Sequence, residues 1–102
     1  MLSKCIFSVK APAGPPVEII RHTFSPSQSA KPTQRVSLVT GLHGDELEGL
    51  YICHRLIETL KKLEEQNAVK GEVHIYPAVN PQALETGTRL WPFFHRHQSH
   101  LW

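Results

Sequence analysis

The residues best suited to chemistry lie in the segment 41–49, which reads Gly-Leu-His-Gly-Asp-Glu-Leu-Glu-Gly. His43 and Glu46 stand three positions apart there, after an apolar run and before a long amphipathic stretch. Hydrolytic zinc sites bind the metal through imidazole nitrogen and carboxylate oxygen, and two histidines with one glutamate form one established ligand set. The segment therefore supplies candidates for two of three zinc ligands, and no convincing third ligand follows in the chain.

A structural alternative for this segment stays open. Asp45 and Glu46 can simply complement the dipole of a helix that starts here, with His43 an ordinary loop residue. Two features favour the metal. The preceding strand brings His43 to the carboxyl edge of the sheet, where open α/β sheets place their sites, and Glu46 is expected in the first helical turn. Gly41 and Gly44 are expected to leave room for an ion and substrate beside the backbone.

Turn residues and periodicity predict the elements that position these side chains. Strands are predicted over residues 4–10, 17–24, 35–40 and 72–79. A short proline-rich turn joins the first two strands, which predicts an antiparallel pair. The strand–helix–strand order of the rest predicts a parallel pair. The expected fold class is α/β, with a hairpin plus a parallel strand–helix–strand unit.

The connecting helix is predicted from Asp45 to about Gln66, because apolar residues recur there at helical spacing. The residues of this apolar face are Cys53, Leu56, Ile57, Leu60 and Leu63.

A second group of candidates follows the last predicted strand. Asn80-Pro81-Gln82-Ala83 is typical of a turn with a short helical start. Arg89 comes shortly after it, and a guanidinium near a polarised carbonyl can stabilise the negative charge that forms when water attacks. The alternative for a single arginine is a solvated surface charge.

Composition excludes several classes of protein. A chain of 102 residues with 40% hydrophobic residues is one small domain or a piece of a larger one. Its net charge of +2 comes from interleaved acids and bases, and no basic stripe suggests nucleic acid as a partner. No membrane is expected either, because no uncharged apolar run approaches the roughly 20 residues of a membrane span. No apolar signal segment opens the sequence, and Cys5 and Cys53 lie far apart. A reduced, cytoplasmic protein is therefore expected.

Two motifs in register resemble the succinylglutamate desuccinylase/aspartoacylase family, a branch of the zinc carboxypeptidase-like hydrolases. They are Gly41-x-His43-Gly44-Asp45-Glu46-x-x-Gly49 and Asn80-Pro81-x-Ala83-x-x-x-x-x-Arg89. The resemblance covers about residues 1–94. It implies the N-terminal part of a zinc carboxypeptidase-like mixed sheet flanked by helices.

The resemblance also implies roles for single residues. His43 and Glu46 match the first two zinc ligands, and Arg89 matches an arginine that polarises the scissile carbonyl or holds a substrate carboxylate. Family members hydrolyse the amide bonds of N-acyl amino acids, or related amides and esters. A metal-activated water attacks the substrate while a glutamate acts as general base.

The chain departs from the family pattern near its end. The family continues with Asp-Leu-Asn-Arg, whose last two residues bind substrate, where this chain reads Phe94-His95-Arg96-His97. The third zinc ligand and the catalytic glutamate have no counterpart. We therefore expect a partial domain over residues 1–94, an unmatched His- and aromatic-rich tail over 95–102, and a truncated chain that is inactive alone.

Three interpretations of this departure stay open. The chain is a truncated or frameshifted hydrolase, or it is a non-catalytic binding or regulatory fragment. In the third interpretation, His95, His97 or His100 replaces the missing ligand. A sheet that stops after four strands also leaves an unpaired edge, which predicts self-association.

Overall fold

The computed structural model of the chain describes residues 1–26 and 34–90. Along these residues the elements are β1 (Leu2–Val9), β2 (Val17–Phe24), β3 (Arg35–Val39), α1 (Glu48–Glu65), β4 (Glu72–Tyr76) and α2 (Pro81–Thr86). The four strands form one mixed sheet in the order β1-β2-β4-β3. The predicted α/β class, with a hairpin and a parallel strand–helix–strand unit, is confirmed.

The first two strands form the predicted antiparallel hairpin. Their register runs from Leu2 opposite Thr23 to Val9 opposite Val17, with an irregularity between Cys5 and Phe7. β1 starts at Leu2, earlier than predicted, because β2 continues far enough to pair with it along its whole length.

The last strand, β4, lies inside the sheet. It pairs antiparallel with β2 and parallel with β3, so that Ile75 lies opposite both His22 and Leu38. The parallel pair was predicted, whereas the insertion of β4 between β2 and β3 was not. β4 ends at Tyr76 and not at residue 79, because Pro77 has no N–H group with which to extend the ladder.

The core lies between α1 and one face of the sheet. Its buried members are Phe24, Cys53, Val69 and Ile75, with Leu38, Leu56, Ile57, Leu60 and Val73 packed around them. Four of the five residues predicted for the apolar face of the helix therefore belong to the core or its border. The fifth, Leu63, is 36% exposed and lies at the rim.

The helix begins later than predicted, so the expectation that Glu46 lies in its first turn is wrong. α1 starts at Glu48, its N-cap is Leu47, and no side chain caps it. Asp45 and Glu46 belong to the preceding loop. The acidic residue that complements the helix dipole is Glu48.

Hydrogen bonds join the loop after β3 to the segment after β4. The backbone N–H of Thr40 donates to Tyr76 O (3.0 Å), and that of Asn80 donates to Gly41 O (3.0 Å). The Asn80 side chain donates to Leu42 O (3.1 Å) through Nδ2 and accepts from the N–H of Ala83 (3.4 Å) through Oδ1. Asn80 therefore caps α2 and fixes the loop at the same time.

Two glycines allow the loop to approach this segment closely. Gly41 has a φ of +70°, and a Cβ atom there would lie 2.7 Å from Pro77 O. A Cβ atom at Gly44 would lie 1.8 Å from Ala83 O. The space beside both glycines is thus filled by the backbone of the chain itself, so the expectation that it holds an ion and substrate is wrong.

The outer strand β3 leaves apolar side chains in contact with solvent. Val36 and Val39 are each 54% exposed, and Ile52 on α1 is 60% exposed. β3 is an edge strand among the described residues. This agrees with the unpaired edge expected from the sequence, while self-association stays a prediction. Within residues 1–26 and 34–90, no helix is long and apolar enough to cross a membrane.

The Ile75→Ala variant tests the core. Ile75 is fully buried at the centre of the sheet, and its truncation is expected to lower the free energy of unfolding by about 2–5 kcal/mol. Val36→Ala, a truncation on the exposed edge strand, is the control and should cost less than about 1 kcal/mol. Urea denaturation followed by circular dichroism measures both, and equal losses would contradict the proposed core.

The Gly44→Ala variant tests the close approach of the loop to α2. The added methyl group would overlap the Ala83 carbonyl, so we expect a loss of about 1–3 kcal/mol or more and displacement of the loop. Gly14→Ala is the contrasting control: its φ of +85° adds backbone strain, but no atom lies within 4 Å of the added Cβ, so no neighbouring segment is displaced. NMR signals of His43 should move in the first variant and stay in place in the second.

Candidate metal centre

A tight turn brings His43 and Glu46 together. The N–H of Glu46 donates to the backbone carbonyl of His43 at 3.3 Å. Their side chains meet above this turn, with His43 Nδ1 at 3.2 Å from Glu46 Oε2. The three-residue spacing thus produces the predicted convergence, although through a turn and not through a helix.

The pair lies at the surface, with the His43 side chain mostly covered and the Glu46 side chain mostly exposed. The His43 side chain is 15% exposed, and that of Glu46 is 54% exposed. The imidazole is therefore held by its surroundings, while the carboxylate is open to water. The carboxylate is therefore the part of the pair that a ligand or ion from solution reaches most directly.

Arg89 reaches this pair from the far end of the second motif. Its Nη1 donates to Glu46 Oε1 at 2.9 Å and lies 4.0 Å from Asp45 Oδ1. Gly87, with a φ of 66°, ends α2 in the left-handed conformation, and the N–H of Thr88 donates to Ala83 O at 3.0 Å. This helix end turns the chain back towards the loop. All three site residues named from the sequence therefore lie together.

The neighbouring cation and imidazole set the ionisation of Glu46. The hydrogen bond from Arg89, and after it the hydrogen bond with His43, lowers the pKa of Glu46 below its ordinary value. Both contacts favour the ionised carboxylate. Glu46 is thus a carboxylate at neutral pH, which is the form that binds metal ions.

The geometry of His43 and Glu46 fits a shared zinc ion. Two ligand atoms on a tetrahedral zinc, at bond lengths of about 2.0–2.2 Å, are about 3.4 Å apart. The observed separation of Nδ1 and Oε2 is 3.2 Å. Imidazole nitrogen and carboxylate oxygen are also donors that zinc prefers. The separation is that of a direct hydrogen bond, and it is also close to the spacing of two ligands on one zinc ion.

A third ligand is not found in the described part of the chain. No group of three His, Cys, Asp or Glu side chains that could hold a metal ion occurs there. The tail histidines His95, His97 and His100, the predicted boundary at residue 94 and the predicted tail all lie outside the described residues.

Two other histidines are engaged on their own elements. His54 pairs with Glu58 on α1, with Nε2 and Oε1 2.8 Å apart. His74 is buried in β4, where it contacts the Glu72 carboxylate and the edge of Tyr76. Neither was proposed as a ligand from the sequence, and their contacts account for them structurally.

Asn80 is the residue whose role sequence reasoning missed. It is 5% exposed, and its side chain joins the start of α2 to the backbone of Leu42 beside His43. The Asn-Pro pair predicted the helix start, because asparagine favours the N-cap and proline the first helical position. The bond to Leu42 depends on the packing of two distant segments, so no local signal reveals it.

Comparison with known proteins assigns this chain to a family. The sequence model of the succinylglutamate desuccinylase/aspartoacylase catalytic domain matches residues 32–98, which is more than half of the chain. The match contains both motifs with His43, Glu46 and Arg89. No functionally curated protein was found to match the chain.

A solved structure supports the same assignment. The fold is similar to that of an aspartoacylase family protein from Mesorhizobium loti, with a TM-score of 0.60 and 26% sequence identity. The match covers 79% of this chain and 23% of that protein, so the chain spans about a quarter of the length of the protein it matches. The sequence match, the similar fold and the convergence of the two motifs agree, and the chain belongs to the succinylglutamate desuccinylase/aspartoacylase family.

Proposed function

We propose that His43 and Glu46 are two ligands of a zinc ion in a hydrolase of N-acyl amino acid-like substrates, with amide or related ester bonds as targets. Membership of the family supports a hydrolase that acts on small molecules. The observation that carries the metal proposal is the 3.2 Å separation of His43 Nδ1 and Glu46 Oε2, which suits two ligands of one ion.

Zinc at this position would supply Lewis-acid polarisation of the substrate carbonyl and activation of water for attack. His43 and Glu46 would hold the ion, and the neutral imidazole and ionised carboxylate are the forms required. The turn between them fixes their spacing before any ion arrives, so little conformational order has to be gained on binding.

Arg89 is proposed to bind the substrate. Its guanidinium lies beside Glu46 and is 55% exposed, so it can reach a group entering from solution. It is charged at every physiological pH and can hold a carboxylate through two parallel hydrogen bonds. It can equally stabilise negative charge that develops on a carbonyl oxygen.

Hydrolysis also needs groups that residues 1–26 and 34–90 do not provide. A catalytic zinc site normally has three protein ligands and a general base, and the described residues offer the two ligands named above. We therefore propose that the described residues form half of a centre and are inactive without further ligands. Both cysteines are free, which agrees with the proposed cytoplasmic location.

Zinc titration of the purified chain, observed through the NMR signals of the His43 ring, tests this proposal. We expect zinc to shift these signals, because the imidazole becomes a ligand. Glu46→Ala should weaken the binding more than tenfold, because one of two ligands is lost. His54→Ala, which removes a histidine with its own glutamate partner on α1, is the matched control and should leave the His43 titration unchanged.

The outcome that contradicts the proposal is a His43 signal that does not respond to zinc in the folded chain. A second variant, in which His95, His97 and His100 are all replaced by Ala, tests the alternative third ligand. If the tail completes the site, binding at His43 should weaken in this variant. If the tail has no part in it, binding should be unchanged.

A further inference from the structure

Both oxygens of the Glu46 carboxylate have partners within the chain. Oε1 accepts a hydrogen bond from Arg89 Nη1 at 2.9 Å, and Oε2 lies 3.2 Å from His43 Nδ1. An ion held between His43 and Glu46 would therefore share this carboxylate with a guanidinium. Two cations on one carboxylate repel each other, and each weakens the attraction available to the other.

We propose that Arg89 is an internal competitor for the metal: it neutralises Glu46 in the metal-free chain, and metal binding releases it towards the substrate. This inference rests on the metal centre proposed above and concerns how that centre is loaded. Coupling between the two events is reciprocal, because the factor by which Arg89 weakens metal binding equals the factor by which the metal weakens the Arg89–Glu46 pair.

The surroundings of Arg89 favour competition over a fixed supporting role. Its side chain is 55% exposed. Among the described residues, the groups of opposite charge near its guanidinium are the carboxylates of Glu46 and Asp45, the latter at 4.0 Å. Both carboxylates lie on the loop that carries His43, so the ionic contacts of Arg89 among the described residues are all to this loop. The closer contact, at 2.9 Å, is to the carboxylate that a metal ion would bind.

Release of Arg89 would also order the events at the site. In the metal-free chain the guanidinium is engaged by Glu46 and is a poor partner for a substrate carboxylate. Once the metal has taken Glu46, the guanidinium is free for an anion close to the ion. Metal and carboxylate-bearing substrate should therefore bind cooperatively, with Arg89 as the residue that couples them.

The size of the effect is limited by water. Glu46 and Arg89 are both more than half exposed, so their attraction is screened by solvent and salt. Exposed ion pairs correspond to changes of about two- to fivefold in an equilibrium constant. Removal of Arg89 should strengthen metal binding by about this factor. If Arg89 served only to hold the Glu46 side chain in position, its removal would weaken metal binding. The two roles thus predict changes of opposite sign.

Zinc titration of the full chain, followed at the His43 ring by NMR, measures this change in the wild type and in Arg89→Ala. We expect the dissociation constant for zinc to fall about two- to fivefold in Arg89→Ala, and the difference to shrink in high salt. Arg55→Ala removes the same charge from the exposed side of α1 and should leave the constant unchanged. Equal urea midpoints for the variants would show that folding is not the cause.

The change in zinc affinity at His43 distinguishes the possible roles of Arg89. Zinc binding at His43 that is unchanged or weaker in Arg89→Ala overturns the competition, while the metal centre itself stands. A His43 signal that ignores zinc in every variant overturns the metal centre and the competition together. Tighter binding in Arg89→Ala but not in Arg55→Ala supports the assignment of Arg89 as the competitor.

Discussion

The site depends on one connection, the contact between the loop that follows β3 and the segment that follows β4. Asn80 holds this contact with hydrogen bonds to the backbone of Gly41 and Leu42, and the absence of side chains at Gly41 and Gly44 lets the backbones meet. Loss of these hydrogen bonds would leave the buried Asn80 side chain with unsatisfied polar groups, which destabilises the folded state. The loop is therefore held in one place before any ligand binds.

This connection is possible because β3 and β4 are parallel neighbours. Parallel strands end at the same edge of the sheet, so the chain leaves both strands side by side. The first segment then presents His43 and Glu46, and the second presents Arg89 after the short helix α2. Residues far apart in the sequence meet at a surface site whose backbone is firmly hydrogen bonded.

The family relationship connects this arrangement of His43, Glu46 and Arg89 with the function proposed for the chain. The chain belongs to the succinylglutamate desuccinylase/aspartoacylase family, and the hydrolysis of small molecules is the function proposed for it above. The chain matches 23% of a solved member, and its described residues supply two candidate metal ligands and one arginine. The Glu46 carboxylate is 54% exposed, so solvent reaches it directly.

The sequence by itself predicted the four strands and the long helix, and it named His43, Glu46 and Arg89 as candidate site residues. The periodicity of Cys53, Leu56 and Leu60 predicted the buried face of α1, because burial of a helix follows its repeat. The start of α1 at Glu48, the position of β4 between two strands and the role of Asn80 were decided by the tertiary structure alone. Each depends on contacts between distant segments: the loop that displaces the helix start is held by the segment after β4, and local propensity carries no information about such a partner.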